Sequence, residues 1–600
     1  MATVAEFVLA RLVEWGVRWI YGYPGDGING FLGALDRADG EPSFVQARHE
    51  EMAAFMACGH AKFGGGLGVC LATSGPGAIH LLNGLYDAKL DGQPVLALVG
   101  QQRRAALGAG YQQEVDLQTL FGDVSAFVET CTVPAQARHL VDRAARTALA
   151  DGVVTTLVFP NDVQDEDAVE SPPRAHGSVF SSVGYARPHV VPAQRELERA
   201  AGLLNAAERV AILAGRGAAG ATDELIETAD LLGAGAAKAL LGKAVLPDDL
   251  PFVTGPIGLL GSRASFELME GCDALLMVGS NFPYAEWLPR EGRARGVQID
   301  VEAARIGLRY PMDVHLVGDA RDTLTALIPL LERKRDRAWR EQVEAWVEDW
   351  WRIVESQAAM AGDPLNPQLV AWELNERLPD GAVLTADSGS STVWWARCVR
   401  VRRGMLASLS GGLASMGSAV PYAIAAKNVR PDRPVIAFVG DGAFQMNGMN
   451  ELATAMRHWD AWDDPRFVVA VFSNGDLNMV TWEQRVLAGD PAFPASQWLP
   501  DVPAAAIARL LGLYAIRCDA PDRVGPAWDE ALAAGRPALV EFVVDPEIPP
   551  LPPRVSITDA ANLARAMVKG DPQRAGVIEK SLLAKVRESR TLGRLLSPNR

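Results

Sequence analysis

Short apolar runs alternate with amphipathic segments along most of the chain. In residues 1–165 the runs 68–74, 94–100 and 155–160 are almost wholly apolar, and segments with helical periodicity separate them. Apolar runs of this length, bounded by turn residues, predict buried strands. Strands that alternate with helices predict a parallel sheet covered on both faces.

The same alternation occurs twice more, with apolar runs at 209–215, 273–279 and 296–300 in the middle of the chain and further runs near its end. The predicted fold is therefore α/β, with three doubly wound parallel-sheet domains in series and a basic helical tail. We expect these units to span 1–168, 190–335, 363–548 and 555–600.

Three segments are typical of connections. Residues 171–183 are rich in Pro, Gly and Ser, as linkers often are. Residues 332–360 are charged and Trp-rich at helical spacing, which predicts one or two helices that bridge domains. A Pro-rich break at 548–553 precedes the tail.

Composition narrows the class of protein. A chain of 600 residues with 49% hydrophobic and 22% charged residues is typical of a globular protein of several domains. Its net charge of −16 argues against a general nucleic-acid surface. The six cysteines show no metal-binding spacing, and no stretch approaches eighteen apolar residues. Since the N-terminus also lacks a basic signal-peptide region, we expect a cytoplasmic protein.

The strongest chemical signal is a Gly-Asp-Gly turn. The run VIAFV at 435–439 leads directly into Gly440-Asp441-Gly442, and a later apolar run ends at Asn474. A buried strand, a tight turn and a helix start place backbone N–H groups where a diphosphate can bind. Asp441 and Asn474 add the oxygen ligands that Mg²⁺ prefers. The alternative is an ordinary strand-to-helix turn; the second copy, Gly25-Asp26-Gly27, lacks the later Asn, and we interpret it as a loop.

Three further segments are candidates for chemistry. Arg48-His49-Glu50-Glu51 stands just before an Ala-rich helix, where it is either a catalytic carboxyl or a solvated helix start. Thr73-Ser74-Gly75-Pro76-Gly77 follows a strand and opens a helix, and its glycines permit close approach to a ligand. Ala414-Ser415-Met416 contains a Met that can fill a gap in the core, and only the resemblance described next implies that it supports a cofactor.

With these motifs, residues 1–548 resemble the pyruvate oxidase and acetolactate synthase branch of thiamine diphosphate enzymes, most closely the quinone-dependent pyruvate oxidases. The resemblance implies that Glu50 and Gln113 are catalytic, with Glu50 on the aminopyrimidine ring of the cofactor. It implies Mg²⁺ on Asp441, Asn474 and a backbone oxygen of Asp476. The implied cofactor-binding residues are Glu50, Ser74, Gly75, Ala414, Ser415, Met416, Gly440, Asp441, Gly442, Ala443, Asn474, Asp476, Leu477, Asn478, Met479 and Val480.

The middle of the chain also resembles these enzymes, in the segments with which pyruvate oxidases hold FAD. These are 255–262, 279–284, 297–300 and 316–319, and the alternative is a middle domain that has lost its nucleotide. The implied FAD-binding residues are Gly258, Leu259, Leu260, Gly279, Ser280, Asn281, Phe282, Pro283, Asp300 and Asp319.

The resemblance implies oxidative decarboxylation of a 2-oxo acid, most simply pyruvate to acetate and CO₂, with electrons passed through FAD to a quinone or O₂. The alternatives are an acetolactate synthase-type carboligase with structural FAD, and a non-catalytic relative. Relatives usually have Phe-Gln-Glu where this chain has Gln112-Gln113-Glu114, which leaves the 2-oxo acid open. The resemblance further implies a homodimer or homotetramer with active sites between chains.

The tail differs from the rest of the chain in the sign of its charge. Residues 574–600 carry seven Lys or Arg against two acidic residues, with apolar residues near helical spacing. Such a helix is typical of peripheral binding to a membrane surface, here the inner face of the cell membrane, and the alternative is packing on a neighbouring subunit.

Overall fold

Three six-stranded parallel sheets follow one another along the chain. The structure, a computed structural model, describes the backbone of residues 1–595 and the side chains of residues 1–589. The prediction of three doubly wound α/β units in series is confirmed.

The first sheet has the order β2-β1-β3-β4-β6-β5. Its strands are β1 (Trp19–Gly22), β2 (Ser43–Gln46), β3 (Gly68–Ala72), β4 (Val95–Gln101), β5 (Phe127–Thr130) and β6 (Val154–Pro160). Its helices are α1 (Val4–Glu14), α2 (Asn29–Arg37), α3 (Glu50–Gly64), α4 (Pro76–His80), α5 (Leu82–Leu90), α6 (Leu117–Phe121), α7 (Ala137–Asp151) and α8 (Asn161–Gln164).

The middle sheet has the order β12-β11-β10-β7-β8-β9. Its strands are β7 (Val210–Ala214), β8 (Gly235–Lys238), β9 (Val253–Pro256), β10 (Ala274–Val278), β11 (Arg295–Asp300) and β12 (Val314–Val317). Its helices are α9 (Gln194–Ala206), α10 (Thr222–Leu231), α11 (Arg263–Gly271) and α12 (Ala320–Leu327), and the long helix α13 (Ala338–Ala358) follows.

The third sheet has the order β14-β13-β15-β16-β18-β17. Its strands are β13 (Val383–Ala386), β14 (Leu406–Leu409), β15 (Val435–Gly440), β16 (Phe467–Ser473), β17 (Tyr514–Cys518) and β18 (Ala538–Val543). Its helices are α14 (Pro367–Glu373), α15 (Ser390–Cys398), α16 (Ala419–Val429), α17 (Asp441–Ala443), α18 (Glu451–His458), α19 (Asn478–Glu483), α20 (Pro494–Gln497), α21 (Ala504–Leu510) and α22 (Val524–Leu532).

Both faces of the sheets are buried, which explains the unbroken apolar runs. Along β3, Val69 and Leu71 pack into one core cluster, whereas Cys70 and Ala72 pack into another. The second cluster continues into the third sheet through α3 and α16, which approach so closely that a side-chain carbon on Gly59 would lie 3.1 Å from Cα of Tyr422. The first and third units therefore share a core.

Each sheet has a switch point, where the connections from two neighbouring strands run in opposite directions. In the first sheet it lies between β1 and β3, in the middle sheet between β7 and β10, and in the third between β13 and β15. Crevices at the carboxyl ends of strands on either side of such a switch point are the usual ligand sites of open parallel sheets. The fold thus offers three candidate crevices.

The tail packs on its own chain. It forms α23 (Ile557–Val568) and α24 (Arg574–Leu595). In α24, Val577 is fully buried, Lys580 pairs with Asp545 at 2.5 Å and Glu547 at 2.8 Å, and Glu588 pairs with Arg263 at 3.0 Å.

One cation of the tail, Lys580, thus has its carboxylates within the chain, and contact of the tail with lipid or with a neighbouring subunit stays a prediction. The last part of the predicted tail, 596–600, lies outside the described residues. None of the helices within residues 1–595 is long and apolar enough to cross a bilayer.

Candidate active site

Two helical segments begin at the switch-point crevice of the third sheet. Helix α15 starts at Ser390, directly after Gly389, whose φ of 128° favours glycine. The other starts at Asp441, directly after β15. A side-chain carbon on Gly440 would find Ser391 Oγ, its nearest neighbour, at 3.8 Å, so open space separates the two starts. Backbone N–H groups at helix starts bind phosphate, and the crevice fits a diphosphate.

The carboxylate of Asp441 joins the ends of β15 and β16. Its Oδ2 accepts the N–H groups of Asn474 at 2.9 Å and Gly475 at 2.6 Å, and its Oδ1 accepts that of Gly442 at 2.9 Å. Burial raises the pKa of Asp441 to about 6. A cation beside this carboxylate would favour its charged form, and the surrounding oxygen donors suit Mg²⁺.

Asn474 and Asp476 follow β16 directly, beside the Asp441 carboxylate. Asn474 Oδ1 accepts the N–H of Asp476 at 3.0 Å. The Asp476 carboxylate accepts from Asn478 Nδ2 at 3.1 Å and Thr481 Oγ1 at 2.7 Å. Because these hydrogen bonds from α19 occupy the carboxylate, Asp476 would bind a metal through its backbone carbonyl instead. Val480, also on α19, is 51% exposed.

Met416 and Leu477 converge on the Gly-Asp-Gly turn. A side-chain carbon on Gly442 would lie 2.6 Å from Leu477 Cδ2 and 3.3 Å from Met416 Cε, so only glycine fits there. Ala443 follows, buried, at the end of α17. The segment before Met416 is unusual as well, since Ala414 has a φ of 55°. The structure brings this predicted support residue to the turn that it would serve.

In the first unit, Glu50 is the first residue of α3 and is buried. Its Oε2 lies 2.9 Å from His80 Nδ1 at the end of α4, and its Oε1 would lie 3.0 Å from a side-chain carbon on Gly77. The rings of His80 and His49 stack with centroids 4.4 Å apart. The carboxyl is therefore held in an enclosed position by groups that sequence reasoning did not assign.

The turn after β3 gathers the other predicted residues of the first unit. Ser74 Oγ donates to Gln113 Oε1 at 3.4 Å, and Gln102 Nε2 donates to Ser74 Oγ at 3.3 Å. Gly75 and Gln113 both have positive φ, at 63° and 62°. A side-chain carbon on Gly75 would lie 2.7 Å from Gln113 Cβ, so glycine permits this approach.

A buried ion pair of the first unit holds the loop that carries Met416. Asp91 accepts Lys62 Nζ at 2.6 Å and the N–H groups of Gly411 at 3.0 Å and Gly412 at 2.6 Å. Lys62 also donates to the carbonyl of Leu409 at 2.5 Å. Burial alone would lower the pKa of Lys62, but the charges of Asp91 and Asp87 outweigh it and raise that pKa.

Further contacts join the two units on either side of this pair. Asn83 Nδ2 donates to Glu51 Oε1 at 2.5 Å and to Ser415 Oγ at 2.8 Å. Glu451, fully buried on α18, accepts the N–H of Arg48 at 2.7 Å. Burial raises the pKa of Glu451 to about 7. The third unit thus fixes the backbone just before Glu50.

Within one chain the predicted residues form two groups rather than one. Glu50 lies with the Ser74 and Gln113 turn, and Asp441 lies with Asn474 and Met416. Among the side chains of residues 1–589, no hydrogen bond joins Glu50 to Asp441, Asn474 or Asp476.

The switch-point crevice of the middle sheet is lined by closely packed glycines. The N–H of Gly217 donates to the carbonyl of Gly279 at 2.9 Å, and a side-chain carbon on Gly217 would lie 2.8 Å from Gly279 Cα. Ser280 is buried with an unpaired hydroxyl, and Gln298 donates to its carbonyl at 3.2 Å. An unpaired hydroxyl and glycine-rich walls are features that nucleotide phosphate sites share, and FAD at this crevice stays a prediction.

The other predicted FAD residues lie at the end of β11 and in the loops after β9, β10 and β12. Asp300 ends β11, and burial raises its pKa. Asn281 accepts from Arg309 at 3.1 Å, and Phe282 is buried beside Gly258. Pro283 follows in the same exposed loop, and Leu260 packs against the core. Asp319 caps α12 and pairs with Arg187 at 3.1 Å, so its carboxylate already has structural partners.

Sequence reasoning missed several residues at the crevice of the third sheet. Asp387 follows β13, is fully buried, and its Oδ1 accepts the N–H groups of Gly417 at 2.7 Å and Ser418 at 3.0 Å. Burial raises its pKa to about 7. The signal was available, since Asp387-Ser388-Gly389 follows an apolar run as Gly440-Asp441-Gly442 does. His80 and His49 had no such signal, because their meeting depends on the tertiary fold.

Comparison with known proteins matches these units to one family. The N-terminal TPP binding, central and C-terminal TPP binding domains of thiamine pyrophosphate enzymes match residues 2–120, 197–327 and 387–542. The putative thiamine pyrophosphate-containing protein YdaP of Bacillus subtilis is 36% identical over 94% of this chain and 96% of its own.

Two further relatives have more specific names. A probable acetolactate synthase large subunit of Methanocaldococcus jannaschii is 31% identical over 94% of this chain and 96% of its own. The pyruvate oxidase of Lactiplantibacillus plantarum is 28% identical over 94% of this chain and 92% of its own. Three matched domains and this coverage show that the chain belongs to the thiamine pyrophosphate enzyme family.

Proposed function

We propose that this protein is a thiamine diphosphate-, Mg²⁺- and FAD-dependent enzyme that oxidatively decarboxylates a 2-oxo acid, most simply pyruvate. The balanced reaction takes pyruvate, water and an oxidised acceptor to acetate, CO₂ and the acceptor reduced by two electrons. The acceptor is a quinone or O₂. The observation that carries the cofactor assignment is the buried Asp441 carboxylate beside Asn474, facing a crevice between two helix starts.

When bound, thiamine diphosphate supplies a carbon nucleophile and an electron sink, and FAD supplies a two-electron acceptor. The protein supplies position and proton transfer. Glu50 would exchange a proton with the aminopyrimidine ring, and the contact of its Oε2 with His80 Nδ1 fixes the orientation of the carboxyl. Gln113, held at the Ser74 turn, would bind substrate.

The diphosphate end would be held by the third unit. Backbone N–H groups at Ser390 and at the Asp441 turn would bind phosphate oxygens, and Asp441, Asn474 and the carbonyl of Asp476 would hold Mg²⁺. Met416 would press on the cofactor from the loop that Asp91 fixes.

We further propose that the complete site forms between two copies of the chain, in a homodimer or a tetramer made of two. The absence of any hydrogen bond from Glu50 to Asp441, Asn474 or Asp476 among the side chains of residues 1–589 supports this proposal. So do large apolar side chains exposed beside both groups: Ile79 at 46% and Tyr111 at 59% in the first unit, and Met446 at 52% in the third.

The second candidate is a carboligase of the acetolactate synthase type, in which FAD is structural. A relative named as a probable acetolactate synthase at 31% identity favours it. The two functions differ in product: oxidation releases acetate and reduces an acceptor, whereas carboligation joins two substrate molecules and reduces nothing.

Product analysis tests the proposal. The purified protein, with both cofactors and Mg²⁺, is given ¹³C-pyruvate and an artificial two-electron acceptor, and products are followed by NMR. We expect one acetate and one CO₂ for each molecule of acceptor that is reduced. Acetolactate formed without reduction of the acceptor would replace this proposal by the carboligase.

A further inference from the structure

A partly enclosed pocket lies where six segments of the chain meet. They are the start of α11, the face of α13, the start of α14, the end of α15, the Pro-rich segment before the tail, and α24. The pocket contains none of the residues assigned to thiamine diphosphate or Mg²⁺. Its lining residues are Gly261, Arg263, Trp350, Ile353, Gln357, Gln368, Arg397, Pro549, Leu551, Pro552, Pro553, Ala584, Lys585 and Glu588.

One cation in this lining has no counter-charge. Arg397 is 8% exposed, its Nη2 donates to the carbonyl of Leu259 at 2.7 Å, and its Nε has no partner. By contrast, Arg263 lies 3.0 Å from Glu588, and Lys585 lies 2.8 Å from the same carboxylate. Of the three cations that line the pocket, Arg397 alone has no carboxylate within ion-pair distance among the side chains of residues 1–589.

Burial of an unpaired guanidinium is unfavourable. Desolvation lowers the pKa of Arg397 to about 10. The carbonyl of Leu259 satisfies one N–H but brings no negative charge, and a buried ion without a partner is strongly unfavourable. An anion bound to the guanidinium from the pocket would offset this cost.

The rest of the pocket suits a small anion. Three cations face one carboxylate, on a chain whose net charge is −16. Gln357 and Gln368 add side-chain amides that can donate hydrogen bonds, and Trp350 and Ile353 form an apolar wall. A guanidinium fork with neighbouring amides is the arrangement that recognises carboxylate and phosphate oxygens.

We propose that this pocket is a binding site for a small oxyanion, a carboxylate or a phosphate, which binds to the Arg397 guanidinium and is closed in by Lys585 of α24. Through Arg397 the occupant contacts the loop that contains Leu259, and through Lys585 it contacts the tail helix. An occupied pocket therefore ties the middle unit to the tail, whatever reaction the enzyme catalyses.

Calorimetric titration of the holoenzyme tests this proposal. Sodium phosphate and sodium acetate are titrated separately at constant ionic strength, with thiamine diphosphate saturating so that its own phosphate site is filled. We expect phosphate, acetate or both to bind saturably at one site per chain. Comparing the two titrations then shows whether the site prefers a phosphate or a carboxylate. Arg397→Gln should weaken that binding at least about tenfold, or 1.4 kcal/mol.

The matched control is Arg403→Gln, since Arg403 is exposed and pairs with Asp223 at 2.7 Å, away from the pocket. It should leave the affinity unchanged. Crystals of the wild type soaked in selenate or bromoacetate provide a test that does not depend on the folding of a variant. An anomalous peak at the Arg397 guanidinium is expected. No saturable binding of either anion, equal affinity of Arg397→Gln and wild type, or no peak at an ordered Arg397 would each overturn the proposal.

Discussion

Replacing Asp91 by Asn should weaken cofactor binding without touching the cofactor. Both Asp91 oxygens are used: one accepts the N–H of Gly412 at 2.6 Å, and the other accepts Lys62 at 2.6 Å and the N–H of Gly411 at 3.0 Å. Asn has the same shape but offers one acceptor and one donor. In one orientation of the Asn side chain its N–H₂ faces the N–H of Gly412, and in the other it faces Lys62 and the N–H of Gly411. Either way a buried donor loses its acceptor, and the loop that carries Met416 loses part of its support.

The size of the effect follows from the contacts. Leaving a buried charged group without its hydrogen bond costs about 1.5–3 kcal/mol. We expect about 2 kcal/mol of this cost to appear as a loss of binding free energy, because the loop must become ordered when the cofactor binds. The dissociation constant then rises roughly 30-fold, at 1.4 kcal/mol per tenfold change. Ligand-induced stabilisation at a fixed cofactor concentration falls by a similar amount.

Thiamine diphosphate affinity is measured by tryptophan quenching, and thermal unfolding is followed with and without the cofactor. Asp123→Asn is the matched control, because Asp123 is exposed and pairs only with Lys89 and Tyr86 at the surface. An Asp91→Asn protein that binds the cofactor as tightly as the wild type would refute the role of this ion pair in ordering the loop.

Three further predictions concern the site itself. The pKa of Asp441 is raised to about 6, so below that pH Mg²⁺ must displace a proton from its carboxyl group. The affinity for Mg²⁺ should therefore fall about tenfold for each pH unit below 6. Equal Mg²⁺ affinities in titrations at pH 5 and pH 7 would contradict this. Glu50→Gln should bind the cofactor but exchange its C2 proton at least about a hundredfold more slowly by NMR in D₂O, whereas the control Glu129→Gln, half-buried in the edge strand β5, should exchange normally. When equal amounts of Glu50→Gln and Asp441→Asn subunits exchange at random, about half of the dimers are mixed, and each mixed dimer has one intact site of two. The mixture should therefore regain roughly a quarter of wild-type activity. A mixture that stays inactive after exchange would place the site within one chain.

Sequence patterns anticipated the sheets well, because parallel strands buried on both faces must be almost wholly apolar. The run at 435–439 and the turn after it appear in the structure as β15 and the start at Asp441. Met416, by contrast, could be placed only through the family resemblance, since a Met in an apolar context is as compatible with a core. The structure shows its methyl group beside the Gly442 turn.

The contacts between units were beyond sequence reasoning. Lys62 and Asp91 lie in different elements, and their target at Gly411–Gly412 is more than three hundred residues away. Arg397 stood at the end of an apolar helix with nothing to indicate that it would be buried without a carboxylate. The pairing of Lys580 in the tail with Asp545 and Glu547 of the chain itself was equally invisible in the sequence.

The flavin spectrum tests the central claim most directly. The holoenzyme is mixed anaerobically with pyruvate, without any external acceptor, and absorbance near the flavin maximum is followed by stopped flow. The proposed oxidation predicts complete loss of the oxidised flavin band with release of one CO₂ per flavin, and slow loss in Glu50→Gln. A flavin that stays oxidised while the enzyme consumes pyruvate would contradict the account and leave FAD a structural role.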